Sequence, residues 1–191
     1  MTTFTIIGTG TMGTAIGGIL ADGGSDVSYV AHEQVGSAPL GDIVVLAVPY
    51  PALASIVDAY GDQFAGKVVV DITNPLNVAT FDSLVVPADG SAAAELQAKL
   101  PAAKVLKAFN TNFAATLASR KVGDRATTVL IAGDDDASKR TLADALTAGG
   151  VRAIDAGSLA RARELESVGF LQITLAAGEK IPWTGGFGVL A

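Results

Sequence analysis

The sequence predicts an α/β fold, with a doubly wound, mainly parallel sheet covered by helices on both faces. Three observations predict it. Seven apolar runs of strand length recur, at 4–7, 27–30, 43–48, 68–72, 105–109, 128–132 and 151–154. They do not alternate apolar with polar residues, as expected of strands buried on both faces. Segments with helical character lie between them, so strand and helix alternate along the chain.

Each element has its own local signal. The first run leads into a helix at 11–21, where Met12, Ala15, Ile16, Ile19 and Leu20 share one face and Gly23-Gly24 closes the end. A helix at 52–60 begins behind Pro51, a favourable first-turn residue. Helices follow at 92–100 and 136–148, the latter with Asp134 to Asp136 placing negative charge at its start. The longest helical segment runs over 159–177. Between the second and third strands lie a dozen residues rich in Gly, Pro, Ser and Ala. A full crossover helix barely fits there, so a loop or a single turn is expected. No repeat or low-complexity segment interrupts the 191 residues. One domain spanning 1–191 is expected, with 158–191 as its C-terminal helix and tail.

Composition narrows the function. Half the residues are hydrophobic, 17% are charged and the net charge is −6. A sizeable core is therefore available. Without a basic stripe, nucleic acid and anionic membrane are not expected partners. The chain has no cysteine, which removes disulfides, thiolate zinc sites and cysteine nucleophiles. No metal site is expected. No basic segment precedes the strand at 4–7, so no signal peptide is expected, and the longest apolar stretch is broken by Pro49 and Pro51. A cytoplasmic location is the expectation.

The first turn carries the chemistry. It reads Gly8-Thr9-Gly10-Thr11-Met12-Gly13, after a strand and at the opening of a helix. Gly8 permits a tight turn, Gly10 lets the backbone approach a pyrophosphate, and Gly13 lets the helix pack closely on the strand. Free N–H groups and the helix dipole then face the phosphates. In this position the pattern is the fingerprint of a Rossmann dinucleotide-binding fold.

The tip of the second strand selects the dinucleotide. NAD binders usually place an acid there, on the ribose hydroxyls. Here the tip reads Tyr29-Val30-Ala31-His32-Glu33. If Ala31 takes the discriminating position, no carboxylate opposes the 2′-phosphate of NADP, and Thr9 and His32 are placed to donate to it. If Glu33 turns inward, NAD is favoured: a carboxylate about 4 Å from a phosphate costs about 4 kcal/mol per charge pair at an effective dielectric of ~20. NADP is the expected dinucleotide and NAD the alternative. His32, the only histidine, is either a phosphate contact or an exposed loop residue.

Several segments together resemble one family. They are Ile6-Ile7-Gly8-Thr9-Gly10-Thr11-Met12-Gly13, Val45-Leu46-Ala47-Val48-Pro49, Val69-Val70-Asp71-Ile72-Thr73-Asn74-Pro75-Leu76, Lys107-Ala108-Phe109-Asn110-Thr111, and Asp155 through Glu166 with its Gly157-Ser158-Leu159 and Arg163-Glu164-Leu165-Glu166 pieces. In this order they resemble the NADP oxidoreductases dependent on the deazaflavin coenzyme F420, and the related reductase domain of six-transmembrane metalloreductases. The resemblance implies that Ala47, Val48 and Pro49 line the cofactor ribose. It implies that Asn74 and Pro75 border the nicotinamide. It implies that Ala108, Phe109, Asn110 and Thr111 form the floor on which a second redox ring stacks. The alternative for the prolines is loop punctuation, and for Phe109 core packing. Two departures stand out. Family members that take NADP usually carry a Ser-Arg pair where this chain has Ala31-His32, and deazaflavin users often have a histidine near Asn110.

The implied activity is hydride transfer between nicotinamide and a flavin- or deazaflavin-type acceptor. It depends mainly on aligning two rings, so no catalytic acid or base is assigned. Lys107, at the end of a buried strand, is expected to be structural or ion-paired. The aromatic, glycine-rich tail 181–190 either closes over the redox site, docks on another subunit or packs on the surface. An exposed apolar tail on a small domain suggests a homodimer. The alternative function is a dinucleotide-binding sensor or regulatory protein without turnover.

Overall fold

The structure, a computed structural model, describes residues 2–190. Met1 and Ala191, the two ends of the expected unit, lie outside the described residues. A seven-stranded sheet forms its centre. The strands are β1 (Thr3–Ile7), β2 (Asp26–Val30), β3 (Ile43–Leu46), β4 (Val68–Asp71), β5 (Lys104–Lys107), β8 (Thr128–Gly133) and β9 (Arg152–Gly157). A two-stranded hairpin, β6 (Lys121–Val122) with β7 (Arg125–Ala126), stands apart from it. The sheet order is β2-β1-β3-β4-β5-β8-β9. β1 pairs in parallel with both β2 and β3, which sets the topological switch beside the glycine turn.

The continuous apolar runs follow from burial on both faces. Successive side chains point to opposite sides of a strand. Ile6 and Val45 enter a cluster with Ile16, Ile19 and Leu20 of α1 (Thr11–Asp22) and with Leu142 and Leu146 of α5 (Asp136–Ala148). Their neighbours Ile7, Val44 and Leu46 enter a second cluster on the other face. It contains Leu53 and Ile56 of α2 (Leu53–Tyr60), and Ala93 and Leu96 of α3 (Ala92–Lys99). Each such fully buried side chain contributes about 1.5–3 kcal/mol.

The connection between β2 and β3 carries only a single 3-10 turn at His32–Gln34. Val35, Ala38 and Leu40 of this connection pack partly buried against the second cluster, in place of a helix. Helix ends carry the caps their residues favour. Ser91 caps α3 by accepting from the Ala94 N–H, and Asp135 caps α5 by accepting from the Ser138 N–H at 2.8 Å.

The sheet is mainly parallel, as expected, and β8 is the exception, running antiparallel to β5. Residues between them form a short helix, α4 (Ala114–Ser119), and the β6–β7 hairpin, rather than a crossover. The Asn112 amide donates to the Thr128 carbonyl at 3.0 Å, which ties the loop after β5 to the start of β8. β8 thus begins beyond the carboxyl end of β5 and needs no return across the sheet. The last helix, α6, spans Ala162–Ala177 behind a 3-10 turn at Leu159–Arg161. No helix among the described residues is long and apolar enough to cross a membrane.

Candidate functional site

A cleft of about 1440 Å³ opens at the carboxyl ends of β1, β3, β4 and β5 and continues between α1 and α4. Ligands of open α/β sheets bind at this edge. The first wall is the glycine turn. Gly8 has φ +112, and a Cβ there would lie 2.2 Å from the Ala47 carbonyl oxygen, so the crossing of β1 and β3 admits only glycine. Gly13 lies as tightly against the Gly8 carbonyl, also at 2.2 Å.

Gly10 is different. Its backbone (φ −72, ψ −176) suits any residue, and a Cβ there would meet nothing within 4 Å. Neither conformation nor packing calls for glycine at this position. A group held in the cleft against the backbone does. Gly10 is also the N-cap of α1, without a side-chain hydrogen bond and without an acid in the first turn. The leading N–H groups of a twelve-residue helix therefore face the cleft. This cradle fits the pyrophosphate of a dinucleotide.

Of the residues singled out from sequence, Thr9, Gly10, Thr11, Met12, Ala47, Val48, Pro49, Asn74 and Asn110 line the cleft. Phe109 lines it too, although its residue is fully buried and belongs to the first core cluster. It sits at φ +65, a sparsely populated backbone for a bulky side chain. Phe109 therefore packs in the core and lines the cleft at once. Gly8, Gly13, Pro75, Ala108 and Thr111 lie outside the lining. Ala108 is fully buried, and the Pro75 carbonyl accepts from the Val85 N–H at 2.7 Å. Ala31 and His32 are also outside it. The Ala31 N–H donates to the Gln34 side chain at 3.1 Å, and His32 is exposed at the start of the 3-10 turn.

Behind the cleft lies a buried ionic group. The Lys107 ammonium contacts Asp71 at 2.8 Å and Glu166 at 2.8 Å, and all three side chains are inaccessible to solvent. It also donates to the Thr73 carbonyl. Asp71 accepts the Thr73 N–H at 2.8 Å, so the pair grips both sides of the turn that carries Thr73 and Asn74. Glu166 accepts the Ala92 and Ala93 N–H groups at 2.9 and 3.4 Å, at the N-terminus of α3. The positive helix end offsets the second carboxylate, which a single lysine leaves in surplus. Burial nevertheless pushes the Glu166 carboxyl up, against the lowering pull of Lys107 and the Ala92 N–H.

A second layer is made of amides. Asn110 donates to the Asn74 side chain at 3.0 Å and to the Leu165 carbonyl at 2.8 Å, and Asn74 donates back to the Asn110 carbonyl at 2.8 Å. α6 comes close enough because residue 169 is glycine: a Cβ there would lie 2.4 Å from the Asn74 side-chain oxygen. Three cleft-lining residues keep a buried polar atom without a partner; besides the Arg120 Nε they are the Thr73 hydroxyl and the Asn112 side-chain oxygen, which lie beside the Asn74–Asn110 pair in the chain. The latter two are unused hydrogen-bonding capacity at a place where a ligand would lie. Tyr50, at the cleft edge, donates to Glu95 at 2.7 Å; burial and that carboxylate push its hydroxyl up to about 12. No cluster among the described residues is arranged to hold a metal ion.

The sequence reading missed Thr73, Asn112, Phe113 and the ionic partners of Lys107. A signal for the last was present. Asp71 and Lys107 are lone charges inside apolar strand runs, and such charges must pair when buried.

The chain is similar to several known proteins. The family model for NADP oxidoreductases dependent on coenzyme F420 matches residues 29–75. The F420-dependent NADP reductase of Methanocaldococcus jannaschii is 33% identical over 171 residues, which are 87% of this chain and 76% of that one. The metalloreductase STEAP3 of Rattus norvegicus is 36% identical over 138 residues, 72% of this chain and 26% of that protein. A crystal structure from Arthrobacter sp. FB24, provisionally assigned as an F420-dependent NADP reductase, superposes over the full length of both chains with a TM-score of 0.85 at 24% identity. The chain belongs to the family of NADP oxidoreductases that depend on coenzyme F420.

Proposed function

We propose that the protein transfers a hydride between NADP(H) and a flavin- or deazaflavin-type ring, with residues 1–191 acting as one cofactor-binding unit. One observation carries the reading. The dinucleotide cradle at Gly10 runs directly into a cleft end walled by Asn74, Phe109, Asn110, Phe113 and Trp183, none of which is an acid or a base. Reduction of a small carbonyl compound needs a residue that moves a proton. Transfer between two rings does not: the reduced nicotinamide gives up a hydride, and the acceptor ring takes its remaining proton from solvent. The chain then has three tasks. The α1 N–H groups hold the pyrophosphate, Ala47 to Pro49 flank the ribose, and Asn74, with the free hydroxyl of Thr73, orients the nicotinamide end. The Asn110 floor sets the second ring in line.

The family relationship supports NADP over NAD, as does the absence of a carboxylate at Ala31. Ala31 and His32 are assigned to the 2′-phosphate end and Thr111 to the floor beneath the acceptor. A homodimer is part of the proposal, because Val168 and Leu171 present apolar surface on the outer face of α6.

The test is an acceptor screen. NADPH absorbance is followed with FMN, FAD, a deazaflavin and a ferric chelate in turn. Oxidation by a flavin or deazaflavin is expected. Tight NADPH binding without oxidation by any acceptor replaces the enzyme with a dinucleotide sensor. Calorimetric titration should show NADP binding more tightly than NAD; the reverse order overturns the NADP assignment. An unchanged NADP affinity in His32→Ala removes His32 from the site.

A further inference from the structure

The acceptor end of the cleft has a built wall that the tail supplies. After α6 the chain turns back, and Trp183 packs on Phe113 with ring centroids 4.9 Å apart. Trp183 lines the cleft yet remains 53% exposed. Two side chains hold the tail: Arg152 donates to the Val189 carbonyl at 3.3 Å, and Gln172 anchors it nearer the cleft. Gln172 is buried; it accepts the Phe187 N–H at 2.8 Å and donates to the Thr111 carbonyl at 3.2 Å. The Gln172 amide thus ties the tail to the floor behind β5. Val78, on the loop after β4, lines the same cleft and is strongly exposed. An exposed tryptophan lining an apolar cleft, tilted 54° against Phe113, presents a flat ring face to that cleft.

The charges at this cleft add a second observation. Among the described residues, Asp22 and Arg120 are the only charged side chains that line it, and they pair with each other. Among the described residues Arg120 is thus the one cation at the cleft, and its guanidinium is already turned to Asp22, with only the Nε left unpartnered.

Resting on the hydride-transfer reading above, we infer that this end of the cleft recognises the fused ring of the acceptor alone. Trp183 is the stacking surface, and any anionic tail on the acceptor stays in solvent. Binding is then by an aromatic face and by exclusion of water, without ion pairing.

Riboflavin, FMN and FAD carry the same ring and differ in their tails, so they separate the two modes. Their KM values with NADPH should agree within about threefold and change little between low and high salt, because no phosphate contact contributes. Trp183→Ala should raise all three about tenfold, the loss of one stacked face, while the KM for NADPH stays within about twofold. Trp183→Phe should recover most of the loss. Trp183 is the only tryptophan, so its emission in the NADP-loaded protein reads riboflavin binding directly.

A preference of more than about tenfold for FMN or FAD that weakens with salt would show that the tail is read, and would overturn the inference. A Trp183→Ala protein that behaves as wild type would also overturn it while leaving hydride transfer intact. Saturable quenching by riboflavin, with no NADPH oxidation by any flavin or by a deazaflavin, would leave the ring site standing and remove the hydride-transfer reading. Neither quenching nor oxidation by any flavin or by a deazaflavin would remove both.

Discussion

The two ends of the cleft are built from different materials. The end proposed for the dinucleotide is backbone: a glycine turn, a bare helix N-terminus and the Ala47–Pro49 segment. The acceptor end is side chain: the Asp71–Lys107–Glu166 group, the Asn74–Asn110 pair and Gln172 hold its floor and tail in place. Backbone recognition needs only short local spacing, because consecutive N–H groups already point together. The acceptor end needs groups brought from β4, β5 and α6, up to 101 residues apart (Asp71 to Gln172), and so depends on the whole fold. The contrast teaches that the same cleft can be tolerant of fold damage at one end and intolerant at the other.

Lys107→Met tests this contrast most severely. It leaves two buried carboxylates without their cation, which costs about 3–5 kcal/mol. For a chain of this length that lowers Tm by roughly 6–20 °C. Differential scanning calorimetry checks it; a drop below about 3 °C would mean that the α3 N-terminus alone stabilises the pair.

The glycines sharpen the comparison within the other end. Gly8→Ala drives a Cβ into the Ala47 carbonyl at a positive φ, and should cost about 2–4 kcal/mol along with dinucleotide binding. Gly10→Ala meets nothing in the protein, so its Tm should stay within about 2 °C while NADP affinity falls at least ~10-fold. Equal loss of stability in both variants would show that Gly10 serves the fold and not a ligand.

Gly169→Ala tests how α6 supports the floor. The added methyl would press on Asn74 and Asn110, costing about 1–3 kcal/mol by overpacking. The KM for NADPH should rise as the Asn74–Asn110 pair is displaced. A variant with wild-type Tm and KM would separate α6 from the site.

The smallest effect is in pH. Hydrogen bonds from Ser138, with Lys104 adding to them, hold the Asp135 carboxyl at about 2, below its ordinary 3.8. A carboxyl lowered in the folded state stabilises it above 3.8, and that contribution is lost as pH falls toward 2. Wild-type Tm should therefore fall more steeply between pH 4 and 2 than that of Asp135→Asn, which keeps a cap but does not titrate. Glu166 works in the opposite sense. Its raised carboxyl favours the fold at pH below its ordinary 4.5, and that contribution is lost as pH rises. Parallel acid profiles for wild type and Asp135→Asn would remove Asp135 from the low-pH behaviour.

Much of this molecule is readable in its amino-acid sequence, for a stated reason. The seven strands, the helix opening at Thr11, the capped α5 and the short β2–β3 connection follow from local periodicity, caps and spacing. So does the glycine turn, whose geometry lies within six residues. Tertiary structure decided the rest. The reversal of β8 is a pairing choice between segments twenty residues apart, and an apolar run reads the same in either direction. α4 is six residues long and too short for its periodicity to stand out. Asp71, Lys107 and Glu166 announce themselves as charges that need partners, but only the packing of α6 and α3 on the sheet names those partners. Trp183 reads as one aromatic in a loose tail until Gln172 fixes it against Phe113 at the cleft. Local chemistry determined the phosphate-facing turn because its groups are neighbours in the chain; only folding decided the acceptor end, because its groups become neighbours nowhere else.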